Sequence, residues 1–221
     1  MRPPSSGVFA VRSRTVGGNV TWPDYLTAVA AAGAVIAAIA IPLTAYARRP
    51  RLSLSEDEEG IHTRLEGGGE KIPWLRLVVH NKGWRRAAQG TRVLVQSYQE
   101  LSPGATRVAM GSPELGWPST DILIGGGVVV FAGGDRPLDF GYLARSGNKW
   151  QLVLCLAMHA KNVKLSDRRE YLPPVDSGYT VRLLVGADDG AARTYKVDVN
   201  WDGDAASPEA ALDSIQLAVR E

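Results

Sequence analysis

The sequence predicts a mainly β protein, an antiparallel sandwich preceded by one apolar helix near the N-terminus. Three observations predict it. Residues 25–46 form an uncharged run of apolar residues with no polar face. Beyond residue 51, apolar side chains recur at a spacing of two in short runs, the period of a pleated strand. Gly, Pro, Asn and Asp stand between those runs, where turns need them.

Composition bounds the answer. The chain has 221 residues, 45% of them hydrophobic, enough for one ordinary domain plus an anchor. The net charge of +2 hides an asymmetry. Residues 1–51 carry six Arg and one Asp, a net of +5, and residues 52–221 carry 19 Lys/Arg against 22 Asp/Glu, a net of −3. An acidic domain lacks the clustered positive charge that displaces counterions from a phosphate backbone, so nucleic acid is not an expected partner. The single cysteine, Cys155, lies in the apolar run Leu152–Met158. With no second cysteine there is no intramolecular disulfide, and the core alone must hold the domain.

The apolar run reads YLTAVAAAGAVIAAIAIPLTAY, Tyr25 to Tyr46. At about 1.5 Å per residue it reaches roughly 33 Å, the thickness of a bilayer's hydrocarbon core. Tyr25 and Tyr46 bracket it as interfacial aromatics, and a basic flank, residues 47–51, follows with Arg48, Arg49 and Arg51. A cleaved signal peptide would have a shorter apolar stretch and small residues where these arginines stand. A buried core helix would show one apolar stripe. Gly33 and Ala37 make a small-residue pair four apart, a spacing that lets two such helices dimerise closely in a membrane. Pro42 is expected to bend or loosen the last turn. Three arginines close behind the span place the C-terminal part in the cytoplasm by the positive-inside rule, in a single-pass protein of the cell membrane. Residues 1–24, rich in Gly, Ser and Pro, read as a disordered tail.

Residues 52–221 make the β domain. Strands are expected at 51–55, 61–65, 73–80, 91–98, 128–131, 150–158, 179–185 and 193–201. The last places Tyr195, Val197, Val199 and Trp201 on one face and Thr194, Lys196, Asp198 and Asn200 on the other. In 91–98, Val93, Val95 and Ser97 share a face. Residues 99–127 and 132–149 read as loops with edge strands. Ser207-Pro208 supplies an N-cap and a first helical position, so 210–219 is a short helix or a last strand. Seven to nine short strands with such turns point to an immunoglobulin-like sandwich.

The segment from Trp74 to Val93 (WLRLVVHNKGWRRAAQGTRV) resembles the strand–turn–strand signature of membrane-anchored bacterial sandwich domains. There an Asn-x-Gly turn, here Asn81-Lys82-Gly83, follows a strand. Ser177-Gly178-Tyr179 and Asn200-Trp201-Asp202-Gly203 are similar to the final strands of such proteins. The resemblance implies a fold and an anchor, and no activity.

Candidate sites are few. Asp198, Asn200, Asp202, Gly203 and Glu209 fit the spacing of an EF-hand Ca²⁺ loop. Their context favours a strand and its turn, because such a loop follows a helix and 194–199 alternates. The acidic run Glu56–Glu59 reads as a solvated loop. His62, His80 and His159 lack partners at metal-ligand spacing, no G-x-S-x-G elbow occurs, and no cofactor is implied. Trp84 with Arg85 and Arg86, and Trp117, are the candidate partner contacts, although both tryptophans suit a core equally well. The expectation is a membrane-anchored, non-enzymatic protein-interaction domain facing the cytoplasm. The alternative is an exported domain binding an extracellular ligand, glycan or envelope protein.

Overall fold

A computed structural model describes residues 22–65, 71–82, 85–101, 106–109, 112–118, 127–157 and 169–221. The expected N-terminal tail up to residue 21, the glycine triplet 67–69, Trp84, and His159 lie outside the described residues. The chain divides into two compact units, the second being Ala47–Glu221.

The first described element is a helix, α1 (Trp22–Ala47), 26 residues long with none buried. It is long and apolar enough to cross a membrane. It starts three residues before the expected span. Pro23 suits a first turn, where no N–H partner is needed, and Asp24 faces the positive helix end. Helix geometry continues through Pro42 to Ala47.

The second unit is mainly β. Its strands are β1 (Leu52–Leu65), β2 (Lys71–Asn81), β3 (Ala88–Glu100), β4 (Arg107–Val108), β5 (Val128–Val130), β6 (Asp135–Ser146), β7 (Lys149–Cys155), β8 (Arg169–Tyr171), β9 (Gly178–Gly186), β10 (Arg193–Asn200) and β11 (Gln216–Arg220), with a short helix α2 (Pro208–Ser214) before β11. They form two antiparallel sheets, one in the order β1-β2-β6-β7-β8 and one in the order β11-β10-β9-β3-β4, with β5 also paired to β3. The inward faces of both share one core, which includes Leu75, Leu77, Phe140, Leu154, Val181, Val197 and Trp201.

The expected faces of β10 hold: Tyr195, Val197, Val199 and Trp201 are all buried. Four details differ from the sequence reading. First, β6 is central, not a loop. Its Pro137 and Gly141 disguise it. Pro137 pairs with Val78 of β2, and the register with β7 begins only at Gly141, so the proline has no β7 neighbour to supply. Gly141 lies against β7, where a Cβ would stand 2.5 Å from the Val153 carbonyl oxygen. Second, 51–55 and 61–65 belong to one strand. The acidic run sits within it, in a register shift between Glu56 and Ile61. Third, the register of β3 shifts between Val95 and Ser97. Beyond it Ser97 pairs with exposed Arg182, and Tyr98 packs on the core, edge to face with Tyr179 at 5.9 Å. Fourth, the C-terminus holds both a helix and a strand. Ser207 caps α2 by accepting from the Ala210 N–H at 3.2 Å, and Pro208 opens it.

Replacing Gly141 by Ala forces β6 and β7 apart and is expected to cost about 1–3 kcal/mol. Urea unfolding of the full chain in detergent measures this; an unchanged midpoint contradicts the close β6–β7 approach.

Candidate functional site

Two regions of the β unit gather polar chemistry. The first is built on Asn81, the buried last residue of β2. Its Nδ2 donates to the carbonyls of Arg86 (2.8 Å) and Val130 (3.1 Å). Its backbone N–H donates to the Gly134 carbonyl, and its own carbonyl accepts from the Gly133 N–H. The side-chain amide thus ties Arg86 to β5, and the Asn81 backbone ties the end of β2 to the turn before β6. A buried amide is stable only with such partners.

The loop so held grips the segment that opens the unit. Arg85 Nη1 donates to the carbonyls of Ala47 (2.8 Å) and Arg49 (2.9 Å), and the Arg86 N–H donates to the Arg48 carbonyl (3.1 Å). Pro50 is buried against the β9–β10 turn, 3.4 Å from where a Cβ of Gly190 would lie. Burial, then the charges of Arg51 and Arg193, push the Arg85 guanidinium below its ordinary pKa. Arg48, Arg49, Arg51, Lys82 and Arg86 are exposed around it.

The second region is the outer face of the first sheet. Trp74 and Tyr142 stack at 5.1 Å with rings nearly parallel, and with Val153 they form a small apolar cluster against which Cys155 packs. The Arg169 guanidinium lies 5.1 Å above the Tyr142 ring. Asp139 accepts from Trp74 Nε1 (3.1 Å) and Arg76 Nε (3.4 Å). A cleft of about 300 Å³ opens here, lined in part by Tyr142, Arg145, Gln151, Arg169 and Tyr171. Arg145 is also held in place, donating to the Ala206 carbonyl at 3.2 Å.

At the other end of this face, His80 bridges three strands. Its Nε2 lies 2.6 Å from Ser55 Oγ and its Nδ1 lies 2.6 Å from Asp135 Oδ1. These are the contacts of a nucleophile, base and orienting acid. Two facts count against that chemistry. The Asp135 carboxylate is 62% exposed, so water screens the charge that should stabilise an imidazolium. The Ser55 hydroxyl also has a competing acceptor, the Glu56 carbonyl at 2.9 Å. Sequence separation hid this group; only the register, which sets Ser53 and Asp135 opposite His80, brings it together.

The Ca²⁺ pattern does not converge. Asp198 is buried on β10, bound by Thr180 Oγ1 (2.6 Å) and by Arg220. Asn200 pairs with Gln216, Asp202 Oδ1 accepts from the Asp204 N–H, and Glu209 is exposed on α2. Among the described residues, no three His, Cys, Asp or Glu side chains come together to hold a metal ion. Trp117 is buried in the main core, which takes it out of any partner surface. Of the expected anchor residues, Tyr25, Gly33, Ala37 and Tyr46 lie on α1, with nothing within 4 Å of a Cβ added at Gly33. The chain matched no protein-family model, no curated protein and no solved structure.

Replacing Asn81 by Ala is expected to cost about 1–3 kcal/mol, by leaving buried carbonyls without a donor. It should also expose the peptide bonds after Arg48 and Arg51 to trypsin; a cleavage rate equal to wild type contradicts the grip. A second expectation concerns alkali. Burial raises the phenols of Tyr142 and Tyr195 above the ordinary value, and that of Tyr179 to about 12. A raised phenol binds its proton longer folded than unfolded. Its stabilisation is complete below about pH 10 and disappears as pH rises toward 12. Absorbance near 295 nm should therefore show these tyrosines ionising together with unfolding; ionisation in a still folded chain refutes it.

Proposed function

We propose that this chain is a single-pass membrane protein whose β domain faces the cytoplasm and binds a protein partner without catalysis. The observation that carries the reading is α1: a 26-residue apolar helix with no buried residue, joined to a domain with its own core. Leu26, Val29, Val35, Ile36, Ile39, Ile41 and Leu43 are each 52–67% exposed, and lipid is the medium that removes such a surface from water. Arg48, Arg49 and Arg51 directly behind it favour the cytoplasmic side.

The domain is an immunoglobulin-like sandwich in a broad sense. The order β3-β9-β10 corresponds to strands C, F and G of that fold. In the other sheet the strand beside β2 is β6, the earlier member of its hairpin, where the A-B-E-D order puts the later one. The likeness of Trp74–Val93 to anchored bacterial sandwich domains points the same way. The partner surface is the outer face around Arg169 and exposed Tyr171, since tyrosine and arginine beside a cleft are groups that dominate interface energies.

Three measurements test the reading. The full chain should stay in the pellet after alkaline carbonate washing, and release to the supernatant refutes the anchor. Protease added to intact cells should leave the β domain whole; digestion would turn the reading toward an exported domain. A fluorophosphonate probe should leave Ser55 unlabelled, and labelling that is lost in Ser55→Ala would make the protein a hydrolase.

A further inference from the structure

We propose that Arg85 and Arg86, together with the segment Ala47–Arg51, form a preorganised binding surface for the anionic headgroups of phospholipids. The proposal rests on α1 being a membrane anchor, and it adds a lipid specificity that anchoring does not require.

Chain connectivity sets the location. Arg48, Arg49 and Arg51 follow the last residue of α1 by one, two and four positions. An extended chain covers at most about 3.6 Å per residue, so all three stay within roughly 14 Å of the end of the span. The headgroup layer beyond the hydrocarbon is roughly 5–7 Å deep on each side. The first two arginines therefore stay within about its depth, and the third is near enough for its long side chain to reach back to it.

The fold adds what the sequence does not show. Arg85 and Arg86 are 34 or more residues further along the chain, yet they sit on the same segment. Arg85 Nη1 donates to two carbonyls, those of Ala47 and Arg49, and the Arg86 N–H donates to the Arg48 carbonyl between them. Three successive carbonyls are thus turned toward the domain. Pro50 is buried, which fixes the far end. A free juxtamembrane segment would pay rotamer and backbone entropy on meeting a headgroup; this one is already ordered. Arg86 contributes its backbone to the grip, so its exposed side chain remains available to a ligand. Lys82 is exposed on the same loop.

Charge favours a lipid over a protein. The β1–β11 region is net acidic, so cations concentrated in these two short segments run against the domain's average. Acids also lie on this side of the domain. Asp188 and Asp189 are on the β9–β10 turn under Pro50, where the Asp189 carboxylate accepts from the Gln89 N–H and Asp188 covers Gly90. Arg193, whose charge also acts on Arg85, pairs with Glu221. A cationic cluster at the exit of a span meets the negative surface of an anionic leaflet, where each added cation contributes about 1 kcal/mol. Arg85 is a positioning residue here, and the exposed side chains of Arg48, Arg51 and Arg86 are the binding groups.

The test uses the full chain in mixed micelles of phosphatidylcholine and phosphatidylglycerol, with bound lipid counted by native mass spectrometry. The wild type should retain phosphatidylglycerol over phosphatidylcholine. Arg86→Gln should lower that preference roughly five-fold, the effect of one cation at the surface. Asn81→Ala leaves every cation in place but removes the donor that holds the Arg86 carbonyl, so it should also lower the preference; its unfolding midpoint shows whether the domain is intact. If Asn81→Ala folds and binds like wild type, charge alone is sufficient and the preorganised surface is overturned. Equal retention of both lipids by a wild-type chain that is embedded in the micelle overturns the lipid proposal and leaves the anchor standing. Failure to enter micelles at all removes the anchor beneath it. Displacement of phosphatidylglycerol by millimolar inorganic phosphate would reassign the surface to a soluble anion and likewise overturn it.

Discussion

The inward faces of the two sheets exclude water chiefly by packing on each other, and the β unit depends on that contact. A lone cysteine provides no cross-link within the chain, so burial must supply the stabilisation. Leu75, Leu77 and Val79 of β2, Phe140 of β6, Leu152 and Leu154 of β7 face Val93 and Val95 of β3, Val181, Leu183 and Val185 of β9, and Val197 and Val199 of β10, all fully or almost fully buried. Each such side chain is worth about 1.5–3 kcal/mol relative to exposure, before the chain entropy that opposes it. The larger aromatics at the rim close their polar atoms as well: Trp150 Nε1 donates to the Ala205 carbonyl, the Tyr179 hydroxyl to Pro173, and the Tyr195 hydroxyl to Leu52. These bonds fasten the start of β1, the turn before α2 and the approach to β9 onto the same core.

A rigid double layer leaves its surfaces free to differ. The outer face of the first sheet carries paired charges, a stacked aromatic pair and a cleft, while the end near Asn81 carries arginines and ordered backbone. Both regions rest on residues of β2, Asn81 in one and Trp74 in the other. The His80 group has the distances of a relay but not the desolvation that gives a relay its force.

Much of the fold was legible in the residues. The spacing of Tyr195, Val197, Val199 and Trp201 marked β10, Ser207-Pro208 marked the start of α2, and the uncharged run marked α1. The strand that escaped, β6, has Pro137 and Gly141 where a central strand should have β-branched residues. They are tolerated because β7 stops pairing at Gly141, short of Pro137, and comes close there, facts about a neighbour and not about β6 itself. The same reason explains Tyr98 and Ser97, whose faces exchange at a register shift that only the β9 pairing reveals. Trp117 and Trp84 looked alike in sequence, and burial in the core decided Trp117.

What the sequence determined by itself was local and periodic. An apolar helix needs no partner strand to be recognised, because its hydrogen bonds lie within one segment, and an alternating strand announces its faces through the pleat. What only the tertiary structure decided was which distant groups meet. Asn81 reaching Arg86 and Val130, Arg85 reaching the carbonyls of Ala47 and Arg49, and His80 between Ser55 and Asp135 all join residues separated by strand order and register. Those are set by the shared core, and no window of the chain contains them.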